Sequence, residues 1–434
     1  MTNKHFLTSI AILLTSLTMN IQPVSATGFL PQDARALAMG GAGVAVGNSR
    51  QAHYYNPSLL INASEEEDFS FEVDATARIS DSDRLLQATK DIFEDKPFDQ
   101  LDIASQAFDN SPTPQNADEL IAAIDVALNS IRSVGNKSLT IDANVGLFAS
   151  VPNKKISWAA YINMWMNSGQ QGNFDPADLD LLDSFQDIAE DYILNNPINP
   201  QAIEFNEDNL TSSYSIQGAL VADIGIALAM KQSINNYEFD FGITPKIQHV
   251  VTFGDQRLFF EAEDEENKFG SNPNTKETTT FNFDVGVSKK LSDNWKTGVV
   301  IKNIIPKSFE IKEVNQEAKI SPSSRIGVAY LSNWINAGVD LDLTKNDDMV
   351  SHTSTQFLAM GIEADVWLLK LRGGYRHNLA SSGGSGPSVG LGLYLLGLNL
   401  DVAVASNTFD PADYTEDSTS VDNINASAQL GFNW

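Results

Sequence analysis

The chain has 434 residues, with 28 Lys and Arg against 56 Asp and Glu, a formal net charge of −28, and no cysteine. An excess of carboxylates argues against nucleic-acid binding, which needs cations to neutralise phosphates. The absence of cysteine excludes disulfides and thiol chemistry. Acidity of this size reads as solvated surface loops rather than a site for a specific cationic partner.

Lys4 and His5 precede an apolar run from Phe6 to Met19, and Val24-Ser25-Ala26 supplies small residues for cleavage. The pattern predicts a secretory signal peptide over residues 1–26 and a mature chain from Thr27. Beyond it, no stretch approaches the roughly 18 apolar residues of a spanning helix. Residues 27–62 form the next unit, with Arg35, Met39-Gly40-Gly41-Ala42-Gly43 and Asn56-Pro57. Glycines at this density allow close backbone approach, so the segment is expected to pack in a narrow space. Asn56-Pro57 reads as a turn. A dinucleotide fingerprint fails, because Val46 stands where a third glycine is needed and no strand precedes the motif.

Residues 63–434 change to a period of two. Phe71 to Ile79 alternates apolar with polar, and the same pattern returns at Leu139–Leu147, Ile156–Met166, Tyr214–Met230 and Tyr237–Phe253. It continues at Phe281–Val287, Trp295–Ile305, Arg325–Tyr330, Ile335–Leu343, Thr355–Val366, Leu369–His377, Val389–Leu395 and Leu398–Val404. Helical periodicity interrupts it twice. In the insert 82–134, Asn116 with Glu119 resembles a capping box. In the insert 174–194, Asp175 caps and Pro176 opens a helix.

The last strand is the clearest: Ile424, Ala426, Ala428, Leu430, Phe432 and Trp434 alternate with Asn425, Ser427, Gln429, Gly431 and Asn433. One apolar and one polar face suits either a soluble sandwich edge or a wall with lipid outside and water inside. The connections separate the two. Long links (Ser80 to Ser138, Asn167 to Ser213, Gly254 to Thr280) alternate with short ones (Pro152 to Lys155, Lys231 to Asn236, Ser288 to Asn294). That asymmetry predicts an all-β fold: an antiparallel transmembrane β-barrel of about 14 strands, with the short turns periplasmic and the helical inserts extracellular.

The signal peptide, the terminal aromatic strand and the stretch Arg35, Met39 to Val46, Asn56-Pro57 together resemble the FadL-like outer-membrane channel superfamily. Its conjugal-transfer TraF-like branch is the nearest in look. The motif covers only about the first 60 residues, and Ser58 stands where the branch often has Ala. The resemblance implies a luminal N-terminal plug gated through Arg35, Met39, Gly40, Gly41, Gly43, Asn56 and Pro57. It also implies a location in the outer membrane of a Gram-negative bacterium and passive uptake of hydrophobic or small amphipathic solutes, with no cofactor. Phe432 and Trp434 close the barrel, and the expected partners are outer-membrane lipid, the barrel-assembly machinery and the solute.

Enzymatic motifs are weak. Gly386-Pro387-Ser388-Val389-Gly390 has the letters of a nucleophile elbow, but a loop precedes it and a strand follows, where a strand and a helix are required. A spatial pairing of Ser388 with His377 is conceivable only through the fold. The histidines have no ligand spacing, and the acidic runs Glu261–Glu266 and Asp175–Asp183 lack a calcium-loop pattern, so no metal is expected. The tryptophans, mostly near strand ends, suit interfacial girdles. The alternative function is a structural, adhesion or conjugation-related surface protein that binds a partner through its helical loops.

Overall fold

A computed structural model describes residues 24–25, 29–62, 68–81, 84–153, 155–195, 205–206, 209–234, 237–258, 274–347, 354–380, 384–406 and 423–433. Its strands are β1 Ser70–Ser80, β2 Ser138–Val151, β3 Ile156–Asn173, β4 Ser213–Ile234, β5 Tyr237–Leu258, β6 Asn274–Lys290, β7 Trp295–Lys302, β8 Lys307–Ile311 and β9 Gln316–Ile320. They continue as β10 Ser323–Leu331, β11 Ile335–Asp342, β12 Phe357–Val366, β13 Leu369–Asn378, β14 Gly386–Leu395, β15 Leu398–Ser406 and β16 Asn423–Asn433. Fourteen of these, β1–β7 and β10–β16, form a closed antiparallel barrel, each of the segments read from period two supplying one strand. Closure runs from Asn423 opposite Ser80 to Asn433 opposite Ser70, so the sheet has no edge.

The period of two sorts side chains to the two faces of the wall. On β16 Ile424 and Leu430 are exposed, while Asn425, Ser427 and Gln429 are buried. Elsewhere Val145, Ile162, Ile224, Ile362, Leu391 and Val402 face out, whereas Asn144, Asn163, Asp223, Glu363 and Asp401 face in and are buried. An apolar exterior around a polar interior is the arrangement of a barrel in lipid. No described helix is long and apolar enough to cross a membrane. The wall is uneven in height: β3 to β6 have 18, 22, 22 and 17 residues. Strands β7, β10 and β11 have only 8, 9 and 8.

Two short helices, α1 Ala34–Ala38 and α2 Ala52–Tyr55, lie in the N-terminal segment. The long β1–β2 connection carries α3 Leu85–Asp95, α4 Pro97–Asn110 and α5 Pro114–Val134, and α6 Pro176–Asn195 lies between β3 and β4. The four share one apolar core that includes Leu85, Phe98, Phe108, Leu120, Ile124 and Leu182. The capping expectation at Asn116 is corrected. The helix begins two residues earlier at Pro114, and Thr113 Oγ1 accepts the Asn116 N–H at 3.1 Å. Proline suits that first position because no partner awaits its missing N–H. Asp175 does start α6, its carboxylate accepting the Ala177 N–H at 2.9 Å.

The segment read as Trp295–Ile305 stops at Lys302, where Asn303 takes φ +51°. The chain then turns into the β8–β9 hairpin, which the sequence did not announce. Its Phe309, Ile311, Ala318 and Ile320 pack on Ala219, Val221 and Val250 of the inner wall. The predicted leader lies outside the described residues except for Val24–Ser25, which pair with Asn346–Asp347.

Candidate functional site: the lumen and the N-terminal segment

Residues 29–62 pack against the inner face of the wall. Asp33 caps α1, its Oδ1 accepting the Ala36 N–H at 2.9 Å and Gln51 Nε2 at 2.6 Å. That cap orients Arg35, whose Nε and Nη2 donate to both Glu363 oxygens at 2.9 and 3.1 Å. Glu363 also accepts from Arg372 Nε at 2.6 Å, and Arg372 Nη1 in turn bonds Asp401. The result is a buried row of alternating charge from the segment into the wall. Its formation is obligatory in one sense: a buried guanidinium left without its carboxylate costs several kcal/mol.

The glycine motif follows. Gly40 has φ +68°, and a Cβ there would come within 2.7 Å of the Met360 carbonyl oxygen. The wall reciprocates at Gly374, where a Cβ would stand 2.2 Å from the Gly40 nitrogen. Ser388 Oγ accepts the Gly40 N–H and donates to Ala38 O, both at 3.0 Å. Arg325 Nη1 donates to Gly41 O at 2.9 Å. The N–H groups of Gly43 and Val44 converge on Asp340 Oδ2 at 2.7 and 2.8 Å. Met39 is fully buried. Asn56 Nδ2 donates to Val44 O at 3.0 Å, and its Oδ1 accepts from the Ser58 hydroxyl at 2.7 Å. The departure at Ser58 therefore reinforces the turn. Pro57 lies over Gly242, where a Cβ would meet the Pro57 carbonyl carbon at 2.3 Å.

Tyr54 donates to Asp74 at 2.7 Å, and Lys302 Nζ donates to Tyr54 O at 2.7 Å. His53 is buried with its ring 4.6 Å from that of Phe148. Burial, aided by the Lys302 charge, lowers its pKa to about 3, so the imidazole is neutral at pH 7. Burial raises the Asp33 carboxyl above its ordinary value. On either side of Leu30 and Gln32 remain cavities of about 50 Å³, walled by Pro31, Leu37 and Trp165, and about 30 Å³, walled by Tyr161, Asp223 and Lys246. Such spaces suit water rather than a solute. On the short-turn side a bowl of about 240 Å³ opens between Arg35, Arg50, Glu363, Lys370 and Tyr394.

Ser388 and His377 do not meet. Ser388 is buried on the inner face of β14, whereas exposed His377 faces outward and lies 3.2 Å from Ser385 Oγ. Opposite phase in the period of two separates them. Exposed His249 is 3.0 Å from Thr279 Oγ1. Among the described residues no group of three or more His, Cys, Asp or Glu is placed to hold a metal ion. Phe432 stands opposite Phe71 and Leu398 in the closing ladder. Trp434, His352 and Glu261–Glu266 lie outside the described residues. Trp165 departs from the strand-end expectation and lines the larger inner cavity.

The wall residues that receive the motif (Glu363, Arg372, Asp340, Arg325 and Asp74) were not singled out from sequence. A signal was present: each is a charge at the inward phase of its strand. Glu363 and Arg372 are direct partners in adjacent strands, as are Arg325 and Asp342.

A family described as "F plasmid transfer operon, TraF, protein" matches residues 53–342. The chain belongs to this TraF family. The matched span begins after Arg35 and the glycine cluster, so membership rests on residues other than most of that motif. No curated protein matches the chain. Among solved structures, a deltaS2S3 mutant of the TodX monoaromatic hydrocarbon channel is 11% identical, with 95% of this chain and 100% of that chain covered and a TM-score of 0.49. The P. putida toluene transporter TodX is 11% identical over 94% and 99%, with a TM-score of 0.46. A mutant of Rh. blastica porin is 7% identical over 84% and 99%, with a TM-score of 0.28. Likenesses this distant lend no weight to a shared activity, and the architecture of this TraF-family chain rests on its own strand pairing.

Proposed function

We propose that this protein is a plugged channel in the outer membrane of a Gram-negative bacterium, passing small amphipathic solutes passively, with residues 27–62 as the plug. One observation carries the reading. The wall is closed by its own hydrogen bonds through β16 and β1, while the N-terminal segment packs along its inner face, with cavities of about 50 and 30 Å³ beside Leu30 and Gln32 and the bowl of about 240 Å³ on the short-turn side. Moving the segment would thus open a pore without breaking the barrel. Of the two solute classes expected, the charged inner face favours amphipathic molecules over hydrocarbons, which gain nothing from leaving water for a charged wall. Outer-membrane lipid is the partner of the apolar exterior, and the barrel-assembly machinery would engage β16. The helical insert would face the outside of the cell, so a tag at Gln115 labels intact cells and one at Asn153 does not.

The test is single-channel conductance in planar bilayers, wild type beside a variant lacking residues 29–62, with heat-modifiable gel mobility as the check on folding. Raised conductance is expected. A folded deletion variant with unchanged conductance would overturn the gating role. It would favour the second reading, a surface protein that binds a partner through its insert, where Leu86, Ile103 and Leu194 are exposed.

A further inference from the structure

The short-turn rim is not uniform. At the β2–β3 turn the chain presents exposed Asn153 and Lys155. Three other turns present large apolar side chains: Trp334 between β10 and β11, Trp367 between β12 and β13, and Leu396 between β14 and β15 are 66%, 94% and 91% exposed. Trp367 and Leu396 take φ +59° and +51°, positions where turns favour Asn or Gly, so the apolar side chains are not there for backbone convenience. Each of these turns also hands a carbonyl to the next strand. Trp334 O accepts the Asp365 N–H at 2.9 Å, Leu368 O the Tyr394 N–H at 2.8 Å, and Gly397 O the Asn433 N–H at 2.9 Å. The hydrogen-bonded wall therefore continues through the turns themselves, so immersing them in lipid leaves these backbone groups satisfied.

Wall height points the same way. β12 and β14 have 10 residues each, and β15 has 9. At about 3.3 Å per residue and a tilt near 40°, such strands rise about 23–25 Å, no more than the apolar band itself. The 22-residue β4 and β5 overshoot it. The apolar tips are continuous with the outward belt of Val366, Leu369, Leu395 and Leu398.

We propose that the arc of turns at Trp334, Trp367 and Leu396 is immersed in the short-turn leaflet, seating the barrel with its short wall sunk into lipid and the β2–β3 turn in water. This rests on the reading of the chain as a lipid-embedded barrel. The absence of native cysteine makes the test direct. Single-cysteine variants Trp367→Cys, Leu396→Cys, Asn153→Cys and Val402→Cys are labelled with an environment-sensitive fluorophore. They are then folded into phosphatidylcholine vesicles that carry either a doxyl-labelled lipid or, in the water, iodide. Probes at 367 and 396 are expected to emit blue-shifted and be quenched by shallow doxyl lipid, and the probe at 153 to be quenched by iodide alone. Quenching at 367 and 396 by iodide alone overturns the proposal, as does shielding from both quenchers, which would mean a protein contact. Val402, mid-wall and outward, separates the failures. If it too escapes doxyl quenching, the barrel reading has failed; if it alone is quenched, only the seating has.

Discussion

Two additions to the barrel are built on opposite physics. The helical insert α3–α6 holds together as a small soluble domain does, through buried Leu, Ile and Phe, with most of its carboxylates at the surface and Asp178 the buried exception. The N-terminal segment buries Arg35, Asp33 and His53 and meets the wall through shared carboxylates, peptide N–H groups and glycine-to-backbone contact. Apolar packing is tolerant of small rearrangements, and volume-conserving exchanges cost little. A buried charge lattice is not: complete, it is stable, and short of one partner it fails by several kcal/mol. That contrast supports the proposal that the segment, not the insert, is the part that is either fully seated or released.

The largest effect should come from Glu363→Ala, which leaves Arg35 buried without a carboxylate partner while Arg372 keeps Asp401. A loss of about 3–5 kcal/mol is expected in seating of the segment, read as raised conductance from a barrel whose heat-modifiable mobility is unchanged. Unaltered conductance would mean the charge row is not the anchor. In the insert, Ile124→Ala should cost about 2–5 kcal/mol of local stability, read as faster proteolysis of α3–α6 with conductance unmoved. If conductance changes as well, the two regions are coupled and the contrast fails.

Acid should loosen the segment by a smaller amount. His53 is neutral when seated, with a pKa of about 3, and near 6.5 when released. The released state then binds more protons, so seating weakens by about 1.4 kcal/mol per pH unit below 6.5, until about pH 3. Asp33, raised by burial, acts in the opposite sense, its protonation favouring the seated state. Conductance should therefore rise from pH 7.5 to pH 5 in wild type and not in His53→Phe, which keeps the stack on Phe148. A rise that persists in the variant assigns the pH response elsewhere. The smallest effect is Thr113→Ala at the start of α5, about 1 kcal/mol, measured as a shift in the insert's proteolysis rate alone.

Much of the wall was legible because it is a local property. Each barrel strand advertised itself through alternating side chains, and α6 through Asp175-Pro176. The β8–β9 hairpin was not legible, since Phe309 and Ile311 find their cover on Val221 and Val250, far away in the chain. The motif of Arg35 and its glycines could be read as tightly packed, yet its receiving residues could not be named. Ser388 shows how little letters alone decide: they resemble a nucleophile's, the local context argued against it, and the hydroxyl serves the backbone of Ala38 and Gly40.

By itself the sequence determined which face of each strand points outward and which meets the interior, because backbone sterics impose a period of two on any extended segment. The same local rules set the start of α6 at Asp175-Pro176 and the apolar stripe that α5 buries, although α5 itself begins at Pro114 rather than at Asn116. Only the tertiary structure decided which interior charges meet. Arg35 and Glu363 lie 328 residues apart, and nothing local relates them. Their contact depends on the closure of the barrel and the register of every intervening pair. A shift of one residue would turn Glu363 to the outer face and leave the guanidinium buried alone.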